Sequence, residues 1–552
     1  MLATVHAATL HGIEGRLIRV EVDVAPGLPG FTIVGLPDAA LQEARERVRG
    51  AIRNSGLAFP PRRITVNLAP ADLRKAGASL DLGIAVAILV GSEQVRTSGR
   101  WAFIGELSLG GDVRAVPGIL PMAAALARAG VRRAVVPRGA WTEASLAREI
   151  ECLPAATLGD ALELLRSGNG HRRRTAAAPP ARVELATGPV EAQAAATSLG
   201  WPSAPPGVRS SAAPGVLSSA TPGIRSAGYL AGAVPDLADV RGQLLGRRAL
   251  EIALAGGHGL VFVGPPGSGK TLLARTIPGL LPPLDDGEAM VASAIASAAG
   301  EGPLLDLVRT RPFRAPHHTI SYAGMVGGGP RLSPGEVTRA HEGVLFLDEL
   351  PEFGRDVLEA LRQPLEDGRV AIVRVGGATL FPARFQLIAA MNPCPCGGAA
   401  DPTGYCSCRT GVPERYAARV SGPLRDRIDL WVEMPRVAPG ALLGRADAET
   451  SATVAARIAL ARGVARERAA EPNSRLNGRL LRAACDLGPA EEALTGAIAS
   501  SMLLSARGVE RLLRVARTIA DLGDAPSVRT RHLEEAARFR LPAGLLGGRR
   551  AS

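Results

Sequence analysis

Eight consecutive residues, Gly264-Pro265-Pro266-Gly267-Ser268-Gly269-Lys270-Thr271, fit the phosphate-cradling pattern G-x-x-x-x-G-K-[ST]. The apolar run 260–263 reads as a strand feeding the loop, and 272–275 opens a helix behind it. That is the strand–loop–helix order in which glycines let backbone amides approach phosphate oxygens and the helix N-terminus adds partial positive charge. In this setting Lys270 is predicted to reach the β- and γ-phosphates and the Thr271 hydroxyl to ligate Mg²⁺. A second stretch, Val344-Leu345-Phe346-Leu347-Asp348-Glu349, reads as a buried parallel strand ending in two acids. Ligands bind at the carboxyl ends of such strands, so Asp348 suits the Mg²⁺ shell and Glu349 the polarisation of an attacking water. A lone acid pair ends many strands in solvent; beside a phosphate loop it reads as hydrolysis of ATP with Mg²⁺.

These motifs need a parallel sheet to position them, and the chain is long enough to supply several domains. Its 552 residues are 46% hydrophobic but only 3% aromatic, so the cores must be built from Ala, Leu, Val and Ile. Residues 1–166 read as an α+β domain, with a strand at 16–24, a helix over 39–55, a strand at 64–68 and an apolar helix over 79–90. Residues 167–228 are rich in Pro, Gly, Ser and Ala and contain the near-repeat PGVRSSAA, PGVLSSAT, PGIRSA, with six Arg and two Glu in 167–227. Such a stretch cannot bury enough apolar surface to fold and reads as a disordered linker. Residues 229–436 have the strand and helix alternation of an α/β nucleotide-binding domain, and 437–552 are helical, with helices over 448–468, 478–487, 490–504, 507–522 and 527–539. Ser527 and Thr530 are candidate caps of the last one. The fold class expected is therefore α/β and multidomain. No apolar run reaches a transmembrane length, and the first sixteen residues lack a signal-peptide pattern; the expectation is a cytoplasmic protein with no membrane partner. Six cysteines in so long a chain are no disulfide framework. The net charge of +12 favours a polyanionic partner, although an Arg-rich composition also raises it.

Further stretches carry a resemblance. GLPGFTIVGLPD (27–38), RERVRGAIRNSG (45–56), VNLAPADLRKAG (66–77), RGQLLGRRALEIALAGGH (241–258), RPFRAPHHTIS (311–321), LFLDELPEF (345–353), MNPCPCG (391–397) and SGPLRDRIDL (421–430) resemble the magnesium-chelatase-like AAA+ ATPases of the ComM/YifB family. The likeness covers nearly the whole chain apart from the linker. It implies an AAA+ core with a C-terminal helical lid, a homo-hexameric ring, and ATP-driven branch migration of DNA during natural transformation. It also implies residue roles. Asn392 matches the first sensor, which positions water near the γ-phosphate. Arg427 matches the arginine finger offered to a neighbouring subunit, an interface ion pair with Asp426 or Asp429 being the plainer reading. Arg507 matches the second sensor, with Arg511 and Arg514 as alternatives on the same face. Residues 239–243 match the segment near adenine. Two hairpin insertions, 313–331 with Arg314, His317 and His318, and 370–380 with Arg374, match hairpins that face the central pore and touch phosphates of single-stranded or branched DNA. For His317 and His318, bonding within the insertion weighs equally.

The N-terminal domain resembles the peptidase domain of Lon. Lys75-Ala76-Gly77-Ala78-Ser79 puts Ser79 on the nucleophile, but Leu120 stands where the partner lysine belongs. A Ser–Lys dyad needs a base and leucine cannot take a proton, so the domain reads as Lon-like but noncatalytic. Cys394-x-Cys396 and Cys406-x-Cys408 offer four thiols, suited to tetrahedral Zn²⁺ or equally left reduced and unliganded. Two classes of function stay open: a DNA helicase or translocase, and a chelatase-like subunit that drives metal insertion or remodels a protein partner.

Overall fold

The computed structural model describes residues 1–35, 39–71, 77–97, 99–167, 234–329, 332–374, 377–400, 406–437 and 449–540. Lys75 and nearly all of the predicted linker fall outside these residues. The N-terminal sheet has seven strands, in the order Gly30–Val34, Arg63–Ala69, Glu14–Ala25, Leu2–His11, Trp101–Phe103, Arg133–Pro137, Glu151–Ala155. Pairing is antiparallel between Leu2–His11 and Glu14–Ala25 and between Glu14–Ala25 and Arg63–Ala69; the other pairs are parallel. The strict alternation of Glu14–Ala25 sends Ile18, Val20, Val22 and Val24 inward, where they pack on helices Ala39–Asn54 and Asp81–Gly91. The second of these helices is buried almost throughout, which is why its sequence is apolar all round. Its first residue, Asp81, is fully buried and accepts 2.7 and 3.2 Å bonds from Arg47.

The second sheet is five-stranded and wholly parallel, ordered Phe313–Arg314, Val344–Leu347, Gln386–Met391, Leu260–Val263, Leu430–Glu433. Every residue of Leu260–Val263, Val344–Leu347 and Gln386–Met391 is buried, as expected for strands covered on both faces. One face shares its core with the C-terminal helices: Phe262, Ile388 and Leu430 lie in the same cluster as Ile458, Leu512, Ile519 and Leu533. The helices Ser451–Arg468, Gly478–Cys485, Pro489–Ser501 and Ala506–Leu522 lie close to their expected spans. The last helix, Thr530–Arg538, starts later than expected. Ser527 is buried three residues before it, and Arg529 takes the N-cap position, its own N–H donating to the ring of His532 at 3.0 Å.

Among the described residues the N-terminal sheet domain is bonded to two regions of the ATPase core, and in the first of them the Leu304 N–H also donates to Glu143 at 3.1 Å. At the start of helix Ile119–Arg128, Gly118 and Leu120 donate their N–H groups to the carbonyl (2.9 Å) and hydroxyl (3.3 Å) of Ser297, in helix Asp286–Ala298. Around them Leu120, Met122 and Ala123 share a core with Ala296 and Leu304. At the other place, His11 bonds Thr379 (3.1 Å) and Ile13 packs against the same apolar core as Ile320 and Ile372. Leu120 is therefore fully buried, and Ser79 is 5% exposed with its hydroxyl donating to the Ala8 carbonyl at 3.0 Å. Ser79→Ala is expected to leave ATP hydrolysis unchanged, with a stability loss of about 1 kcal/mol for the lost bond. Leu120→Lys is expected to create no peptidase and to cost roughly 3 kcal/mol or more by burying an unpaired ammonium. Thermal melting and cleavage of an unfolded protein substrate check both.

Candidate active site

The parallel pairing of Leu260–Val263 with Gln386–Met391, and of the latter with Val344–Leu347, delivers three loops to one edge of the sheet. After Val263 the chain enters the phosphate loop through Gly264, where a Cβ would sit 2.2 Å from the Met434 carbonyl oxygen, so only glycine allows this approach. Gly267 and Gly269 hold φ of +78° and +89°, and a Cβ on either would meet nothing within 4 Å. The loop thus presents an open, amide-lined face, as a phosphate cradle requires.

Lys270 begins the following helix and donates to the carbonyls of Gly264 (2.7 Å) and Pro265 (2.8 Å) and to Asn392 Oδ1 (3.3 Å). Burial pulls its ammonium down to about 8, against the opposing field of Asp348. Thr271 Oγ1 donates to Asp348 Oδ2 at 2.8 Å, so the two predicted Mg²⁺ ligands stand together across two loops. Glu349 adopts a left-handed backbone (φ 54°) and stays half-exposed next to them. Lys270, Thr271, Asp348, Glu349 and Asn392 are therefore gathered at one place, and their donor set fits MgATP: a cation and amides for phosphate, a hydroxyl and a carboxylate for the metal. Gln243, in the segment expected near adenine, bonds the carbonyls of Ser268 (2.9 Å) and Pro435 (2.6 Å).

Other expected residues lie elsewhere. Arg427 and Arg507 line a groove of about 580 Å³ with Gly257, Gly259 and Gln386, at the amino ends of strands whose carboxyl ends carry the phosphate loop. Arg427 is paired with Glu366 and donates to the Pro423 carbonyl at 2.8 Å, while the exposed Arg507 lies 3.8 Å from the same Glu366. Arg427 does not pair with its neighbours: Asp426 faces Arg511, and Asp429 bonds the buried His258, whose other nitrogen bonds Thr518 at 2.8 Å. Arg514 is taken up by the Leu476 carbonyl. Neither Arg427 nor Arg507 reaches this chain's own phosphate loop.

Arg314 is not a free hairpin cation. It ends the edge strand of the central sheet, and Glu336 (2.7 and 2.9 Å) and Glu301 (3.3 Å) hold it in a partly buried ion-pair cluster. The short antiparallel ladder of this insertion is 327–328 with 333–334. His317 bonds Thr319 at 2.9 Å within the insertion, whereas His318 lies 3.3 Å from Glu349 and edge-on to Phe353. Nothing in the motifs signals that contact, because it joins residues 31 apart whose spacing has no local meaning. The other hairpin pairs Arg369–Arg374 with Gly377–Pro382 and has Arg374 at its turn, that side chain lying outside the described residues. The four thiols of Cys394, Cys396, Cys406 and Cys408 lie within 4.8 Å of one another.

Three family models match: magnesium chelatase subunit ChlI at residues 236–442, subunit ChlI of Mg-chelatase at 20–140, and the ChlI C-terminal region at 448–540. The protein YifB of Salmonella typhimurium is 40% identical over 542 residues, 98% of this chain and 97% of that one. Competence protein ComM of Haemophilus influenzae is 38% identical over 548 residues, 99% and 98% of the two chains. The chain belongs to the ComM/YifB family of magnesium-chelatase-like proteins. An archaeal Lon protease of Methanothermobacter thermautotrophicus is 31% identical over 98 residues, 17% of this chain and 15% of that one. In this ComM/YifB member the AAA+ core suggests ATPase activity, and no described helix is long and apolar enough to cross a membrane.

Two outcomes follow for the site. Lys270→Ala is expected to weaken MgATP binding at least about ten-fold, and Glu349→Gln to keep binding while slowing turnover about 100-fold or more; equilibrium binding and single-turnover rates separate them. Phosphate favours the charged form of Lys270, so binding takes up a proton wherever the free ammonium has been lost. Affinity is then full below about pH 8 and falls about ten-fold by pH 9, which titration calorimetry at pH 7 and 9 measures.

Proposed function

We propose that this chain is an ATP-hydrolysing motor that assembles as a homo-hexameric ring and moves branched or single-stranded DNA, in the manner of branch migration. The observation that carries the reading is the split between the two halves of the chemistry. The phosphate loop, Asp348, Glu349 and Asn392 share one edge of the parallel sheet, while Arg427 and Arg507 stand at the opposite edge. A transferring phosphoryl group gains negative charge, which a cation from a neighbour stabilises. In a head-to-tail ring the opposite edges of successive copies meet, and each interface then pairs a loop with a finger.

Within that interface each residue has a defined task. The amides of 264–271 and Lys270 hold the phosphates, releasing the Gly264 and Pro265 carbonyls that Lys270 otherwise donates to. Thr271 and Asp348 hold Mg²⁺, which when bound neutralises phosphate charge. Asn392 orients the water, and Glu349 accepts its proton as the water oxygen bonds the γ-phosphorus and the bond to the β-phosphate oxygen breaks. Arg427 of the adjoining copy leaves Glu366 for the developing charge.

DNA as the cargo is supported by the name competence protein of a full-length relative and by the net charge of +12. The insertion that bears His318 touches Glu349, so an occupied insertion has a direct path to the water-activating carboxylate. A second reading rests on the family models, all of which carry the magnesium-chelatase name; it assigns the same hydrolysis to metal insertion or to remodelling a protein partner.

ATP turnover measured against four-way and forked DNA at two salt concentrations tests the choice. Stimulation by DNA is expected, falling steeply with salt because phosphate contacts release counterions. Arg374→Ala is expected to keep basal turnover and to reduce both the stimulation and its salt slope. A wild-type rate indifferent to every DNA tested would favour the chelatase-like reading.

A further inference from the structure

The four-cysteine cluster has a geometry beyond what the spacing of the cysteines gives. Cys394 Sγ lies 3.3 Å from Cys396 Sγ and 3.8 Å from Cys406 Sγ, and Cys396 Sγ lies 3.6 Å from Cys406 Sγ. A tetrahedral ion with bonds of about 2.3 Å to sulfur has sulfur–sulfur edges of about 3.8 Å. The cysteines are unbonded to one another, and Cys394 is buried while Cys396 and Cys406 are exposed. Three sulfurs near tetrahedral spacing, with the fourth, of Cys408, within 4.8 Å of each, suit a soft-ligand cation such as Zn²⁺.

The cluster also sits among the parts of the hydrolytic site. Its first arm leaves the strand Gln386–Met391 through Asn392, the residue that bonds Lys270. Gly397, turned at φ +79° by the Cys394 carbonyl's bond to its N–H, lies against the phosphate loop so closely that a Cβ would be 2.3 Å from Pro266 Cδ. The second arm, Cys406 and Cys408, leads into helix Val412–Ala417. Just beyond it Arg419 bonds the Pro351 carbonyl (3.3 Å) and Glu352 (3.0 Å), in the turn that follows Glu349. One ion holding both arms would thus tie the sensor loop, the phosphate loop and the acidic turn together.

We propose that Cys394, Cys396, Cys406 and Cys408 bind one Zn²⁺ per chain, and that this ion is a clasp whose loading sets the rate of ATP hydrolysis. The rate effect rests on the ATPase reading above; the clasp itself does not. Without the ion, only thiol–thiol contacts join the 394–397 turn to the second arm, and Gly397 is held less firmly on Pro266. The phosphate loop and Asn392 then open locally more often, which lowers turnover and exposes their amides to exchange.

Metal analysis of the full chain purified without chelator is expected to find about one zinc per chain, and almost none in Cys394→Ser/Cys406→Ser. Stripping zinc from the wild type with a chelator, in excess Mg²⁺, is expected to slow turnover about ten-fold and to speed amide exchange of 264–271 and 391–397 about as much. Adding back Zn²⁺ alone is expected to reverse both, a reversal that a misfolded protein would not show. A wild type without zinc, or with iron in its place, overturns the proposal. So does stripped protein whose exchange in 264–271 stays within about two-fold of the loaded protein. If loaded protein hydrolyses no ATP, the ATPase reading fails, and the exchange comparison alone decides the clasp.

Discussion

The bond between Thr271 and Asp348 depends on strand register. Thr271 lies in the first turn of the helix that follows the phosphate loop after Leu260–Val263, Asp348 belongs to the loop after Val344–Leu347, and Gln386–Met391 lies between these strands. Because all three run parallel with Val263 beside Met391 and Leu347 beside Ala389, their loops emerge at one edge within hydrogen-bonding reach. A slip of one residue would exchange two buried faces and part the metal ligands. Those faces pack on different cores, Phe262, Phe346 and Ile388 on one side and Val261, Leu345 and Leu387 on the other, and the shapes of the two cores oppose the slip. Core packing, not the loop itself, is what fixes the nucleotide site.

The parts of the site that were legible in the sequence are those specified locally. A phosphate loop needs glycines, a lysine and a hydroxyl in fixed order, and a fully buried strand needs an unbroken apolar run, so residues 264–271 and 344–349 stand out without context. Relations between distant segments were not legible. Arg314 shows the difference: within an insertion its charge looked available for phosphate, yet Glu336 and Glu301 neutralise it because the chain there is an edge strand of only two residues. His318 beside Glu349 and Arg427 on Glu366 are likewise fixed by tertiary packing. The last helix starts at Thr530, with Arg529 as its N-cap and the His532 ring accepting the Arg529 N–H, a bond that the hydroxyls of Ser527 and Thr530 do not signal.

The N-terminal domain illustrates how a likeness of fold is separated from a likeness of activity. Its Ser79 hydroxyl is spent on a backbone carbonyl, and Leu120 is packed under helix Asp286–Ala298 of the core. Leu120 thus lies in a buried interface with the ATPase core. A second contact, His11 with Thr379, reaches the hairpin Arg369–Arg374/Gly377–Pro382. The domain therefore packs against both the AAA+ core and one of its two insertions.

The central claim is that each hydrolytic site is shared between two copies of the chain. The most direct measurement is ATP turnover of Lys270→Ala and Arg427→Ala proteins, each alone and co-assembled in equal amounts. Each alone is expected to be nearly inactive, one for want of phosphate binding and the other for want of the neighbour's cation. Random mixing in a closed ring gives about a quarter of the interfaces an intact loop facing an intact finger, so activity should recover toward that fraction of wild type. Wild-type turnover by Arg427→Ala alone, or no recovery in rings shown to contain both variants, would contradict the account.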